Sequence, residues 1–484
     1  MQSLGVIAQG RLAPRGRFVL AAAASVGASL GAAYVLMSPE YNLLLAPLAL
    51  ALVLVIALAL TPTTFLVVSF LAFATLQLTS VYTVSLGPAT AYGSDMIVGI
   101  VLVRALLPRD RVNTPKVFGP LTIIATTAWM LLMLGAAVRG LDAGTSLDNV
   151  VRLGMAAIYW PLLYFGFSRT FREREFDIDR FFGALAVVGV GLVAYMLMMR
   201  ALNRPFEPPD QIGKLGEVVA SSGTIYRRDF GFWSAFIVYP AIAILAISRV
   251  VYERDRILTW ITVAGICVIA TLLTLIRGEI FGLVAGIAAV LVLSGRFQRG
   301  SRVVEPRRSA VIAVAALLVA VGAVVTIADR GFATIVSERS VGAFGAAQSA
   351  EARSTREVRV RALEEGRQVA GDHVFGLGLR SLDDLQARGI HPEYLAHSGY
   401  TTMLVYVGWP GLIAGLLVII GFLLDSARNP ARRPWLHPML GGVLVLLLVY
   451  AFGAAGPVGE EHVMSLGALF VAARFALVGP GAEV

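Results

Sequence analysis

The feature that most constrains the fold of this chain is a repeated apolar run of about 20 residues, the length a helix needs to cross a bilayer. The runs show no alternating ten-residue pattern of the kind found in membrane strands. The composition agrees, because 57% of the residues are hydrophobic and only 15% are charged, against about 25% charged in ordinary soluble domains. The sequence therefore predicts an all-α, polytopic transmembrane helical bundle.

We assign fourteen spans, and the least regular pairs leave a range of about 12–14. The predicted spans lie near residues 17–37, 41–60, 64–81, 92–107, 117–138, 150–168, 181–200, 231–249, 257–276, 279–295, 309–327, 400–424, 437–454 and 461–478. The chain then divides into a bundle over 1–327 with an outer loop at 201–230, a large extracytoplasmic loop at 328–398, and C-terminal spans over 399–484.

The short connectors alternate in charge, and the basic ones are expected to be cytoplasmic. They carry Arg11, Arg15, Arg17, Arg109, Arg111, Lys116, Arg249, Arg254, Arg256, Arg428, Arg432 and Arg433, with further basic residues at 169–180 and 296–308. This predicts a bacterial cytoplasmic membrane protein with both termini inside and loops 201–230 and 328–398 on the periplasmic or extracellular face. The net charge of +9 is thus a topology signal, and we predict no nucleic-acid partner.

The large outer loop is the best candidate for a chemical role, since long ordered loops are seldom mere connectors. It is rich in arginine, which the topology rule does not explain in a long loop. Residues 353–370 have the spacing of an amphipathic helix, and a glycine-punctuated turn follows at 373–379. The sole cysteine, Cys267, lies inside an apolar run, so disulfides cannot hold the loop and it must pack on the bundle.

Three arginines at the outer ends of spans indicate anion binding, because a guanidinium forks onto phosphate oxygens. Arg277 interrupts an apolar run at the outer boundary, and Arg227 and Arg228 precede the span near 231–249. Charges at this depth usually face a cavity or a partner. Arg277 could instead form a structural pair with Glu279 that marks a helix hairpin.

His397, at the end of the large loop, is the candidate general base, because neutral imidazole accepts a hydroxyl proton near neutral pH. It could instead be an interfacial histidine that lies beside Tyr394 and Tyr400.

Two acidic motifs resemble metal sites, but neither predicts one. Asp177-Ile178-Asp179 lies among arginines of an inner connector, where a solvated charge run is expected. Glu460-Glu461-His462 consists of adjacent residues, which rarely converge on one ion. We predict no metal and no cofactor.

The order of these elements resembles the O-antigen ligase and polymerase superfamily. The segments are Arg277-Gly278, Ser354-Thr355-Arg356, Arg361-Ala362-Leu363, His373-Val374-Phe375-Gly376-Leu377-Gly378, His397 and Gly408-Trp409-Pro410-Gly411. In that family an arginine segment precedes a P-x-x-G-x-G turn, a histidine ends the loop, and G-x-x-G opens the next helix. This chain has Val374 in place of the proline and Ser398 in place of the asparagine that follows the histidine.

The resemblance implies transfer of a glycan from a polyprenyl (undecaprenyl) diphosphate to a glycan or lipid-linked acceptor, with inversion and without metal, among membrane lipids on the outer face. The implied diphosphate ligands are Arg277, Arg227, Arg228 and Arg356, the implied activating residue is His397, and the implied sugar or acceptor contacts are Tyr394, Tyr400 and Arg380. Polymerase and ligase remain open, with span number and loop size favouring polymerase. The sequence also allows a transporter or flippase for the same lipids, or a non-catalytic scaffold.

Overall fold

The structure is a computed structural model. It describes residues 55, 59–74, 83–86, 89–111, 119–202, 217–219, 225–227, 237–252, 256–294, 350–391, 398–428, 435–453, 467–470 and 472–473. The predicted spans near 17–37, 41–60, 309–327 and 461–478 lie wholly or mostly outside these residues, as does the Glu460-Glu461-His462 motif.

Helices make up most of the described chain, which confirms the predicted all-α bundle. They are α1 (Pro62–Ala74), α2 (Gly93–Leu106), α3 (Pro120–Asp142), α4 (Leu147–Phe171), α5 (Ile178–Ala201), α6 (Val238–Tyr252), α7 (Ile257–Leu273), α8 (Arg277–Ser294), α9 (Ala350–Asp372), α10 (Leu382–Ala387), α11 (Gly399–Arg428) and α12 (Leu436–Gly453). Two short antiparallel hairpins join β1 (Thr83–Leu86) to β2 (Ala89–Tyr92) and β3 (Glu217–Val219) to β4 (Ile225–Arg227).

Three helices among the described residues are long and apolar enough to cross a membrane: Pro120–Asp142, Ile178–Ala201 and Gly399–Phe422. Shorter apolar helices accompany them, so the count of fourteen stays a prediction. Large apolar side chains on α3 and α5 face outward, with Ile124 66% and Val187 73% exposed. Such surfaces are expected against lipid and are rare on soluble monomers.

Local signals in the sequence set the helix starts. Pro120 occupies the first turn of α3, where its missing N–H costs nothing. Ser146 caps α4 by accepting the N–H of Asn149, and the Asp177 carboxylate caps α5. Asp179 pairs with Arg249 at 3.1 Å, so the Asp177-Ile178-Asp179 motif has a structural role.

The bundle has two distinguishable ends, which we call the Arg169 end and the Arg139 end. At the Arg169 end, the Phe182 ring lies 5.2 Å from that of Trp435, which joins the starts of α5 and α12. Arg109 and Arg249, two of the arginines predicted to be cytoplasmic, lie at this end and pair with Glu173 and Asp179. The end of α3 at Arg139, the start of α11 and the large loop meet at the opposite end.

Close helix packing in the bundle depends on small residues. A Cβ added to Gly286 of α8 would come within 2.8 Å of the Gly442 carbonyl of α12, and one on Gly282 would meet Leu446 at 2.6 Å. Glycines permit this close approach between apolar helices, and within a membrane van der Waals packing would hold such an interface.

Candidate functional site

The glycine-punctuated turn at 373–379 docks between α3 and α11. Three of its backbone N–H groups donate to carbonyls of these helices, so hydrogen bonds hold this irregular segment inside the protein. The bonds run from Leu377 to Val405 at 2.8 Å, from Gly378 to Tyr406 at 3.1 Å and from Leu379 to Ala136 at 2.8 Å.

A break in α11 frees the carbonyls that receive the turn. Pro410 has no N–H to give the Tyr406 carbonyl four residues earlier. Gly408 has φ 70° and leaves the helical conformation, and the N–H of Trp409 donates to the Val374 carbonyl at 3.1 Å. The Gly408-Trp409-Pro410-Gly411 motif therefore lies inside α11, whereas the family pattern places it at a helix start, and it forms the docking site of the turn.

Two glycines of the turn are required by space as well as by conformation. Gly376 has φ +72°, and a Cβ there would lie 2.6 Å from the Tyr406 carbonyl carbon. Gly378 has φ +86°, and a Cβ there would lie 2.8 Å from the Ala136 oxygen. A residue with a Cβ would be strained at positive φ and would collide with the backbone of the neighbouring helix. Both positions must therefore be glycine for the turn to lie this close to α3 and α11.

Arg139, near the end of α3, also holds the turn. Its Nη2 donates to the Phe375 carbonyl at 2.5 Å. In the predicted topology Arg139 is a basic residue at an outer helix end, where the topology rule expects few positive charges, and the sequence-based site does not include it. That misplaced charge was the available signal, since an outer-end arginine needs a partner.

The loop helix α9 lies on the bundle and confirms the amphipathic helix predicted over 353–370. It packs against α11, where a Cβ on Gly366 would lie 3.0 Å from Thr401. A Glu365 carboxylate oxygen accepts the His391 N–H at 2.8 Å, which ties the chain after α10 back to α9. The described part of the large loop is thus an ordered cover on the Arg139 end.

Arg380 stabilises the exit from the turn. Its Nε donates to the Leu377 carbonyl at 2.9 Å and its Nη1 to the Asp384 carboxylate at 2.7 Å. This hydrogen bond is the main cause that lowers the pKa of Asp384 below its usual value. Ser381 then caps α10. The predicted sugar contact of Arg380 stays a prediction, and two of its nitrogens are engaged within the loop.

Several predicted site residues lie partly or wholly outside the described part of the chain. His397, Arg228 and Tyr394 are not among the described residues. For three others the backbone is described: Arg277 begins α8, Arg227 ends β4 and Arg356 lies in α9. The roles expected of all six therefore remain predictions.

The start of α8 adjoins an apolar groove that runs between α3, α4, α11 and α12. Gly278 lies against Tyr450, with 3.6 Å from an added Cβ to the ring. Tyr450 and Tyr400 line the groove at the Arg139 end, and the Tyr400 hydroxyl donates to the Leu448 carbonyl at 2.9 Å. The groove continues past Met403, Trp129, Leu447, Ile419, Trp160 and Phe422.

The carboxylate next to Arg277 is buried. Glu279 has no exposed surface, and its Oε2 accepts the hydroxyl of Thr274 at 3.0 Å. Thr274 closes α7, so this bond joins the end of one helix to the first turn of the next. The tight passage between α7 and α8 includes Leu275 at φ 53°. It sets the backbone position of Arg277, which precedes Gly278 beside the groove residue Tyr450.

Comparison with known proteins agrees with this geometry. Residues 262–416, about a third of the chain, match the family model described as O-Antigen ligase. The match runs from α7 through α8 and the large loop to the broken part of α11, which includes Arg277 and the docked turn. It confirms the resemblance to the O-antigen ligase and polymerase superfamily and supports a glycosyltransferase-like membrane enzyme of polysaccharide biosynthesis. A comparison with curated proteins gave no match.

Proposed function

We propose that the protein transfers a glycan from a polyprenyl diphosphate carrier to a sugar hydroxyl, as a polymerase or ligase on the outer face of the bacterial cytoplasmic membrane. The observation that supports this proposal is the position of Gly278, the residue after Arg277, against Tyr450, which lines an apolar groove. A cation from Arg277 beside this groove would match an amphiphile with an anionic head and a long hydrocarbon tail. The match of this same segment to the O-Antigen ligase family agrees.

The apolar groove would hold the isoprenoid chain of the donor. Aromatic and aliphatic side chains line it over much of the length of α11, and its surface is almost free of polar groups. Hydrocarbon gains about 0.8 kcal/mol per buried CH₂ relative to water, though far less relative to lipid. The groove would therefore contribute little to the affinity for the carrier, and its main effect would be to orient the isoprenoid chain.

The arginines would stabilise the leaving group. When the bond between the anomeric carbon and the phosphate oxygen breaks, negative charge grows on the diphosphate. Arg277, with Arg227, Arg228 and Arg356, would meet that charge with guanidinium forks. A single preorganised donor of this kind contributes about 3–4 kcal/mol in other enzymes.

His397 would accept the proton of the attacking hydroxyl. The acceptor oxygen bonds to the anomeric carbon as the phosphate oxygen leaves, which inverts that carbon, and the products are a longer or transferred glycan, polyprenyl diphosphate and imidazolium. Tyr394 and Tyr400 would line the sugar site. The Tyr400 hydroxyl is engaged with Leu448, so its contact would be made through the ring.

The docked turn and α9 would cover the reacting centre. Their backbone bonds to α3 and α11 hold the large loop against the bundle without a disulfide. Such a cover keeps water from competing with the acceptor hydroxyl for the anomeric carbon.

The proposal is tested with purified protein in nanodiscs, lipid-linked glycan and EDTA. We expect new glycosidic bonds, seen as a ladder of longer lipid-linked glycans for a polymerase or as a labelled acceptor lipid for a ligase. Arg277→Ala is the inactive control. In sealed vesicles, movement of the glycan to the opposite leaflet with no new bond would show a transporter, and absence of both results would leave a non-catalytic scaffold.

A further inference from the structure

A second cavity, of about 310 Å³, opens at the Arg169 end, opposite the proposed active site. It lies between the first turns of α3 and the last turns of α4, beside the end of α11. Its polar lining consists of Thr122, Thr126, Thr127, Ser168, Arg169 and Arg172. Hydroxyls and guanidinium groups without a carboxylate in the lining favour an anion.

The buried carboxylate of Glu173, one residue after Arg172, is already engaged. Glu173 receives two bonds from the fully buried Arg104, at 3.2 and 2.8 Å, and lies 3.5 Å from Arg109. Asp110 pairs with Arg174 on the exposed surface at 3.2 Å. The charge of Arg169 in the cavity is therefore additional to these pairs.

The Arg169 side chain packs on an aromatic ring, and one of its N–H donors makes no hydrogen bond in the described part of the chain. Its guanidinium carbon lies 5.5 Å from the Phe165 ring centroid, and within the described part of the chain its Nε is buried with no hydrogen-bond partner. After burial, the charge of Arg169 is the next cause that lowers the pKa of Arg111. The two guanidinium groups repel each other, and an anion bound at Arg169 would reduce that repulsion.

The cavity also continues into hydrocarbon-like surroundings. Trp160, Tyr164 and Phe422 line both this cavity and the apolar groove. The Phe422 ring lies 4.8 Å from that of Tyr164 and 5.8 Å from that of Trp160, so the three rings form the border between the two spaces. A free phosphate would use only the polar part, whereas an acyl phospholipid would use both.

We propose that this cavity binds the phosphate of an anionic phospholipid from the leaflet predicted to be cytoplasmic, with one acyl chain along Trp160 and Phe422. The phosphate position is separate from the proposed diphosphate position, because Phe422 and Tyr400 stand about 33 Å apart along α11 at 1.5 Å per residue. The acyl chain would share Trp160 and Phe422 with the far end of the apolar groove. The inference does not depend on the proposed function. Basic pockets between spanning helices on the cytoplasmic side are suited to anionic headgroups.

The test uses delipidated full-length protein in detergent and native mass spectrometry of added phosphatidylglycerol. We expect wild type to retain this lipid in preference to phosphatidylcholine of the same chain length. The double variant Arg169→Gln with Arg172→Gln should bind it roughly tenfold more weakly or worse, because charge-assisted bonds to the phosphate are lost. Arg174→Gln removes an exposed arginine that pairs with Asp110, and it should bind like wild type.

Two further measurements distinguish a phospholipid from a soluble anion as the ligand of the cavity. Inorganic phosphate at millimolar concentration should raise the melting temperature less than phosphatidylglycerol does. Equal protection by inorganic phosphate would identify a soluble anion and overturn the lipid proposal, as would equal retention of phosphatidylcholine. If the double variant is not monodisperse, Arg169→Gln alone is measured. Unchanged phosphatidylglycerol binding by a folded variant overturns the proposal.

Discussion

The backbone N–H of Gly378 donates to the carbonyl of Tyr406 at 3.1 Å, and this bond joins the large loop to the interior of a spanning helix. The carbonyl is available because Pro410 has no N–H to offer it. The same break that interrupts α11 thus creates the acceptor that holds the loop. The position of the large loop therefore depends on the break in α11.

Gly378→Ala should detach the turn and strongly lower glycan transfer. The new Cβ would lie 2.7 Å from that of Arg139 and 2.8 Å from the Ala136 oxygen, and positive φ adds about 1–2 kcal/mol. Gly389→Ala is the matched control, since Gly389 also has positive φ but open space around it. Initial transfer rates and protease cleavage within 373–379 are measured for both. Equal, mild effects would show that docking of the turn is not needed.

Arg277→Ala should abolish transfer while the protein stays folded, and Arg277→Lys should recover only part of the rate. A lysine keeps the charge but cannot reproduce the guanidinium fork on two phosphate oxygens. Rates are measured at saturating donor, with size-exclusion profiles to report folding. Full turnover in Arg277→Ala, or loss of the folded protein alone, would assign Arg277 a structural role beside Glu279.

His397→Ala should lower turnover about 10²- to 10⁴-fold with little effect on donor binding, because a general base acts in the transition state. His373 and His391 are the controls. Both are exposed, and they contact neighbours through backbone groups, His373 with Val369 and His391 with Glu365. Initial rates across the three alanine variants decide the matter. Similar small losses at all three would remove His397 from the mechanism.

The ends of a helix can be predicted from the sequence where nearby residues, such as a capping serine, mark them. The sequence predicts a span over 150–168, the observed α4 spans Leu147–Phe171, and Ser146 supplies its cap. The loop helix α9 also follows from residue spacing alone. The apolar length of α4 and the amphipathic spacing of α9 decide these structures, and each of these features can be read from one segment of the sequence.

The docked turn could not be derived in the same way. It depends on a hydrogen bond that Pro410 cannot make, on the missing Cβ atoms of Gly376 and Gly378, and on Arg139 more than 200 residues earlier. Each of these is a tertiary relationship between distant segments. The glycines of the turn can be read from residues 373–379. The helix break that binds the turn is encoded about 30 residues later, at Gly408 and Pro410, and nothing in the sequence links the two segments.

Breaking the buried ion pair at the Arg169 end should be costly. Glu173→Gln would leave Arg104, which has no exposed surface, without its charged partner, at about 3–5 kcal/mol. Asp110→Asn removes a carboxylate whose pair with Arg174 is 68% exposed on both sides, and it should cost about 1 kcal/mol or less. Thermal unfolding in detergent is compared for the two. Equal melting temperatures would mean that the Arg104 charge is stabilised by other groups.

The pair between Arg380 and Asp384 should make the region after the turn sensitive to acid. The hydrogen bond from Arg380 lowers the pKa of Asp384 in the folded chain, whereas the unfolded aspartate titrates near 3.9. The pair therefore stabilises the fold fully above about pH 3.9, and this contribution is lost as the pH falls through the lowered pKa. For a partly exposed pair it amounts to about 1 kcal/mol or less. Hydrogen exchange of residues 380–390, corrected for intrinsic rates, should show protection that is constant from about pH 6 to about pH 4 and declines at lower pH. Asp384→Asn should show lower protection at pH 6 and no further decline, and an unchanged decline in that variant would assign the acid sensitivity to another group.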